Sequence, residues 1–406
     1  MSVLAPRPHR SHRIARRSGA VAAVALSVAL LAACSSSSDG TAKGTGGGPK
    51  DANVDPAGTV FPGATWAKAS PASLDLDGKE LDRIAADAKS AGSTCFLVAR
   101  HGKIAASYAW GGTQADTPAE VFSASKSFSS ILVGMAQAEG KLKITDKMSK
   151  YIPAWKGTPA DAVTIQDILS NDSGRHWDFQ TDYFGMTGAH DRNAFAAALN
   201  QDAPPGKVWI YNNSAIQLLS PVLKQATGME AKDYAEKELF GPIGMDQSHM
   251  TTDGSGHTST FMGLQSTCED LARFGVLMLR HGDWDGKQVV PAAWVKAATG
   301  APSQKLNASY GYLFWLNRKG RMPDDNNQAT KPGDVSQKSK VGQKVPGAPA
   351  DMYWALGLGN QIVQMDPGSD TVVVRIGPGQ PPAGSTNFTE TNTAQVVTDA
   401  LTEGGK

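Results

Sequence analysis

The sequence predicts an α+β fold: an antiparallel sheet flanked by N- and C-terminal helices, with a mostly helical lobe inserted into it. Three observations lead there. A strand pair, "TCFLVAR-HG-KIAASYAW", stands near the N-terminal end of the globular region, and a second, "NQIVQM-DPGSD-TVVVRIG", stands near its C-terminal end. A helical sequence lies outside each pair. Between the pairs runs a long stretch of amphipathic helices, so the sheet must be assembled from distant segments around an inserted lobe.

The elements follow in order. Residues 1–33 open with the basic "MSVLAPRPHRSHRIARRSG", followed by the apolar "AVAAVALSVALLAA", too short to span a bilayer. A basic region, a short apolar region and small residues before a cleavage point describe a secretory signal. Its ending, "LAAC", resembles the lipobox of bacterial lipoproteins, and that resemblance implies cleavage before Cys34 and lipidation of its thiol. Membrane attachment through Cys34 and display on the outer face of the cell membrane are therefore expected. Residues 34–60 are a Gly/Ser/Ala tether, and residues 61–406 are one hydrolase-sized domain. The whole chain carries +1; removing 1–33 takes away five arginines and no acid, leaving −4. Neither value is an electrostatic footprint for nucleic acid.

Within the domain, "LDLDGKELDRIAADAKSAG" has helical apolar spacing through Leu76, Leu81, Ile84 and Ala85 and closes at Gly92. The first strand pair turns at His101-Gly102. "FSSILVGMAQAEG" puts Phe128, Ile131, Leu132 and Met135 on one helical face. "AIQLLSPVLKQATG" and "CEDLARFGVLMLRHG" are similar runs closed by glycine, and a last helix covers Glu390 to Leu401. Residues 317–351 lack apolar periodicity. They read as a polar insertion, either disordered or a rim over the site, with composition favouring disorder. Cys95 and Cys268 are either a disulfide or free buried thiols. No cysteine pair or histidine cluster has metal-ligand spacing, and no cofactor is implied.

The chemistry starts at "FSASKS". Ser123-Ala124-Ser125-Lys126 is the one Ser-x-x-Lys in the chain, and it opens an apolar-faced helix. Residues three apart share a helical face, so Ser123 and Lys126 project together. A serine hydroxyl attacks only when a base takes its proton, and lysine serves as that base only when kept neutral. The one Tyr-x-Asn, Tyr211-Asn212-Asn213, stands just before another helix. A tyrosine beside a lysinium is able to ionise and relay the serine proton; an asparagine amide is able to bond both the lysine and a substrate carbonyl.

With these motifs the chain resembles the class C serine β-lactamases and their relatives, among them D-alanyl-D-alanine carboxypeptidases, family VIII-type esterases and 6-aminohexanoate-oligomer hydrolases. The resemblance spans Phe61 to Leu401. It rests on "FSASKS", "GKLKITDKMSKYIPAW", "TIQDILSNDSGRHWD", "PPGKVWIYNNSAIQLLSPVLKQATG", "LFGPIGM" and "GLQSTCEDLARFG" in that order. It implies a β-lactamase/transpeptidase-like fold, with Ser123 as acylated nucleophile, Lys126 as base partner, Tyr211 as second general base or acid, and Asn213 as the positioning amide. The Ser123 N–H would form half of an oxyanion hole, a strand-edge N–H near Asn360 the other half.

One family motif is altered. Where many relatives carry Lys-Thr-Gly or His-x-Gly for a substrate carboxylate, this chain has "ALGLGNQIVQMDP", with Leu358-Gly359-Asn360 assigned to the place. Gly359 and Asn360 are the expected substrate-binding residues there. Arg175 and His176 are read first as structural loop residues, and Tyr183, Trp315 and Trp354 as aromatic residues of segments bordering the cleft. Without the cation, the expected substrate is a small ester or amide, ahead of a D-amino-acid peptide or a β-lactam. The alternative from another class is a catalytically silent cell-envelope binding lipoprotein.

Overall fold

The computed structural model describes residues 60–323 and 339–405. The signal, Cys34 and almost all of the tether lie outside the described residues.

Six strands form the central sheet: β1 (Cys95–Arg100), β2 (Lys103–Ala109), β3 (Trp315–Leu316), β4 (Tyr353–Gly357), β5 (Gln361–Asp366) and β6 (Thr371–Ile376). Their spatial order is β2-β1-β6-β5-β4-β3, with every neighbour antiparallel. The first and last parts of the domain thus meet at β1–β6, where Leu97 stands opposite Val374. The β1–β2 turn falls at His101-Gly102, both with positive φ, as a two-residue hairpin turn requires.

Antiparallel sheets often leave one face to water, but β1, β5 and β6 are buried at every position. Helices cover both faces. On one, Phe96, Val98, Ile362 and Val373 pack with Leu81, Ile84 and Ala88 of α1 (Gly78–Ser90) and Val396 and Val397 of α8 (Glu390–Thr398). On the other, Leu97, Val363 and Val374 join the core of the helical lobe. The period-two alternation along each strand therefore divides residues between two cores.

The lobe contains α2 (Ser125–Ala138), α3 (Ile165–Ser170), α4 (Asn213–Gln217), α5 (Leu219–Thr227), α6 (Cys268–Leu279) and α7 (Ala292–Thr299). Caps set their ends: Thr164 and Asp167 form a capping box on α3, Thr267 caps α6, and Gly228 in the left-handed region stops α5. Phe128 of α2 stacks on Phe274 of α6, ring centroids 3.9 Å apart, which fixes α2 over the sheet-facing helix. Cys95 and Cys268 are joined as a disulfide, tying β1 to the start of α6.

The expectation of disorder across residues 317–351 is corrected for its described parts. Gly320–Pro323 and Ser339–Gly342 pair as an antiparallel ladder. The Asn317 amide donates to the carbonyls of Val345, Ala348 and Pro349, and its oxygen accepts from Val345 N. One buried amide with four bonds holds a stretch that has no apolar periodicity of its own.

Candidate active site

Ser123 sits in a single 3₁₀ turn, Phe122–Ala124, that runs straight into α2. The residue before it, Phe122, has φ 47°, the left-handed region an aromatic residue rarely adopts. That conformation costs about 1–2 kcal/mol and persists only where surroundings impose it. They do here: Val121 N bonds Leu264 O at 3.0 Å, and Ser125 Oγ donates to Phe122 O while accepting from Leu264 N at 3.0 Å. The turn is riveted to the strand Leu264–Ser266 on both sides of Phe122.

The other serines of the motif have structural partners. Ser127 Oγ donates to Leu313 O and Ser129 Oγ to Thr260 O. Ser123 Oγ alone among them meets Lys126, whose Nζ lies at 2.7 Å. Lys126 is 1% exposed. Its Nζ also donates to Phe261 O at 2.8 Å and lies 4.7 Å from the Tyr211 ring centroid. Burial brings its ammonium down to about 7, against a smaller opposing pull from Asp182. A large fraction of Lys126 is therefore the neutral amine near neutral pH.

Tyr211 closes the triangle from the turn before α4. Its hydroxyl is hydrogen-bonded to Ser123, and burial pushes it well above the usual phenol range. Of the two roles the sequence allows Tyr211, base or acid, this burial favours the protonated phenol and hence the acid. Trp315 stacks on its ring at 5.8 Å and Tyr310 meets it edge-on at 6.1 Å. Lys344 lies 4.4 Å from the Trp315 ring, so the segment after the 339–342 strand reaches the back of this aromatic layer.

The Tyr-x-Asn turn is built by side-chain capping. Asn212 accepts from Ala215 N and donates to the carbonyls of Arg175 and His176. Asn171, left-handed at the end of α3, accepts from Asn212 N through its side chain and from Ile210 N through its carbonyl. The expected bond from the Asn213 amide to Lys126 is not formed. Lys126 donates to Ser123 and Phe261, and Asn213 Oδ1, though buried, has no hydrogen-bond partner among the described residues. It remains an acceptor for a group that enters the site.

The strand beside Ser123 is β4, but the contact is made by Gly357. A Cβ added there would come within 2.1 Å of Val121 O and 3.2 Å of Ala124 N. Gly359 and Asn360, assigned to this place from sequence, instead form the β4–β5 turn, both with positive φ. Gly359 abuts Pro378 and Gly379, and the Asn360 amide bonds Asn387. The buried Arg375 holds the turn by donating to the carbonyls of both residues. The physical reason is the hairpin: three residues are needed to reverse the chain, so the last strand residue able to press on the serine turn is Gly357.

Other sequence candidates resolve as structural. Arg175 donates to the carbonyls of Ala196 and Leu199 and stacks on Trp155 at 4.1 Å. His176 is held between Asp178 and Asp202. Trp354 is wholly buried in the outer core with its indole N–H on Gln364, so it does not border the cleft. Tyr183 does lie close to Tyr211, acting on it electrostatically. Asp191, Asp253 and His257 gather their ligand-type atoms within 4.8 Å of one another. Asp253 there takes the backbone N–H groups of Arg192, Ser255 and His257 and closes a loop.

Sequence reasoning missed Asp182. It is fully buried in a π-helical stretch, Gln180–Gly185, and accepts from Trp177, Asn213 and Ser214. Its signal was faint: one acid in the otherwise aromatic and small "FQTDYFG". Single-turn π-helices are rare and concentrate at functional sites.

Comparison with known proteins gives the following. The family model described as Beta-lactamase matches residues 81–398. A 6-aminohexanoate-dimer hydrolase from Paenarthrobacter ureafaciens is 22% identical over 345 residues, 79% of this chain and 83% of that protein. A D-aminopeptidase from Cereibacter sphaeroides is 25% identical over 203 residues, 44% of this chain and only 37% of that protein. Among solved structures, a putative beta-lactamase from Bacteroides dorei superposes with a TM-score of 0.64 at 18% identity, covering 80% of this chain and 99% of that one.

Proposed function

The chain belongs to the beta-lactamase family, and we propose that it is a serine hydrolase that cleaves a small carboxylic ester or amide through an acyl-enzyme on Ser123. The observation that carries this reading is the 2.7 Å contact between Ser123 Oγ and a buried Lys126 whose ammonium is brought down to about 7. A solvated surface lysine would be protonated and useless as a base at that pH; this one has the protonation state that general-base work requires.

The steps follow from the geometry. Ser123 Oγ attacks the substrate carbonyl carbon as its proton passes to the Lys126 amine. The resulting oxyanion faces the N–H of Ser123 at the head of α2 and the end of β4 at Gly357, where the absent side chain lets backbone approach. Tyr211, hydrogen-bonded to Ser123 and protonated, delivers its proton to the departing alkoxide or amine and recovers one from Lys126. The C–O or C–N bond breaks and the acyl group stays on Ser123. Water then attacks the acyl carbon, its proton returning along the same groups, and Ser123 is regenerated. Asn213, with a free acceptor, orients the N–H or O–H of the acyl portion.

The order of substrates is short ester or amide, then D-amino-acid peptide, then β-lactam. It is supported by the absence of Lys or His from the β4 stretch 353–357. A relative matched over 83% of its length and named as a 6-aminohexanoate-dimer hydrolase also supports a small amide substrate. The first 34 residues add a location: export, cleavage before Cys34 and lipid anchoring at the outer face of the membrane, tested by membrane fractionation of Cys34→Ser.

The deciding experiment treats the protein lacking residues 1–34 with a fluorophosphonate probe, a nitrophenyl ester panel and a chromogenic cephalosporin. Probe labelling lost in Ser123→Ala, with ester turnover exceeding cephalosporin turnover, is the expected result. Equal labelling of parent and variant ends the Ser123 assignment, whereas no labelling and no turnover by the parent leaves the silent binding lipoprotein as the better reading.

A further inference from the structure

We propose that Asp182 is a positioning residue for this site: it fastens the Tyr211-to-Asn213 turn in place and supplies the negative charge facing Lys126. The inference rests on the hydrolase reading and deepens it.

Four hydrogen bonds converge on this carboxylate. Oδ1 accepts from Ser214 N and Ser214 Oγ, both at 2.8 Å; Oδ2 accepts from Asn213 N at 3.0 Å and from Trp177 Nε1 at 3.1 Å. Every partner is a donor. Three of the four, the two backbone N–H groups and the indole N–H, can only donate, and the Ser214 hydroxyl is the one partner able to accept a carboxyl hydrogen, so the arrangement favours the ionised form. The N–H groups of Asn213 and Ser214 belong to the first turn of α4, which directly follows Tyr211. With Asp182 in place, that turn has one setting, and so do the Tyr211 hydroxyl and the Asn213 amide.

The second role is electrostatic. Burial pushes the Asp182 carboxyl above its usual range, while the Ser214 and Asn213 hydrogen bonds and the Lys126 charge pull the other way; Asp182 in turn opposes the loss of the Lys126 proton. The groups around Lys126 are Ser123 on its own helix side, Tyr211 from the α4 turn, the Phe261 carbonyl and ring from the loop before Leu264, and Asp182 from the π-helical stretch, with Arg192 5.8 Å from the centroid of the same Phe261 ring. Asp182 is the acid in that set. Desolvation alone would leave Lys126 neutral and unable to hold the proton it takes from Ser123; the facing carboxylate stabilises the transient ammonium. Because Asp182 rides on the π-helical stretch that also carries Tyr183, one side chain couples that aromatic wall to the proton-transfer triangle.

The test uses the full chain and follows the rate of fluorophosphonate labelling against pH, with folding checked by circular dichroism. In Asp182→Asn the acid limb is expected to move to lower pH by about one unit, and the plateau rate to fall by roughly tenfold or more as the turn loosens. A folded Asp182→Asn with the parent's limb and a plateau within about twofold overturns the proposal. If that variant does not fold, Ser214→Ala decides. It removes one bond to Oδ1 and keeps the charge, so a plateau reduced several-fold with an unmoved limb supports the role, and a parent-like plateau overturns it. Failure of the parent itself to label in a Ser123-dependent manner is a different outcome, and it removes the hydrolase reading rather than this one.

Discussion

Lys126 Nζ bonds Ser123 Oγ at 2.7 Å while standing 4.7 Å over the ring of Tyr211. One nitrogen thus touches the hydroxyl to be activated and the face of the phenol that shares it, inside a layer closed by Trp315. The consequences of that placement are measurable.

The first is pH dependence. Acylation requires the neutral amine, so kcat/KM for an ester should fall about tenfold per unit below the Lys126 value of about 7 and level off above it. A stopped-flow or labelling profile checks this. A flat profile from pH 5 to about 8 would falsify the assignment of Lys126 as base.

The same burial affects stability. The Lys126 proton is bound in the unfolded chain up to about 10 but leaves the folded one near 7. Between those values the unfolded state holds more protons, so this residue's contribution improves as pH rises through that window, and its full cost is present below about 7. Lys126→Met should therefore abolish labelling yet raise Tm by several degrees (~3–6 °C) at pH 6, with the gain shrinking towards pH 10. Differential scanning calorimetry at the two pH values reads both effects.

Tyr211→Phe keeps the ring that stacks on Trp315 and removes the hydroxyl bonded to Ser123. The expected outcome is a loss of about 10²–10³ in kcat for substrates with poor leaving groups, and a smaller loss for nitrophenyl esters that leave without a proton. Equal losses across the leaving-group series would show that the tyrosine is not the proton donor.

Gly357→Ala tests the strand contact. Its new methyl would sit 2.1 Å from Val121 O, so the turn carrying Ser123 must shift. Labelling is expected to drop by about 10²-fold, with the circular dichroism spectrum unchanged. Gly359→Ala, in the β4–β5 turn with φ 74°, should instead lower Tm and leave the labelling rate of the folded fraction near the parent's.

The Cys95–Cys268 disulfide spans 173 residues and joins the first sheet strand to α6. A double substitution to alanine should lower stability by about 2–5 kcal/mol in a denaturant titration while leaving the site's chemistry intact at 25 °C. An unchanged midpoint would mean the covalent tie adds nothing to the packing of Phe128 on Phe274 and their neighbours.

Much was legible in the chain itself, because local rules decided it. Period-two strands, a two-residue turn at His101-Gly102, glycine stops and helical apolar faces depend on residues within a few positions, so the sheet, the lobe and α2 were readable. Ser123 and Lys126 were readable for the same reason, one helical turn apart. The tertiary structure decided what depends on long-range approach. It alone brought Tyr211 to Ser123, paired Cys95 with Cys268, set Gly357 rather than Gly359 against the serine turn, and ordered the described parts of 317–351 around Asn317. Above all it buried Lys126 and placed Asp182 opposite, and these two facts set a lysine's charge. Charge in a protein interior is fixed by solvent exclusion and by neighbours distant in the chain, neither of which a local pattern records.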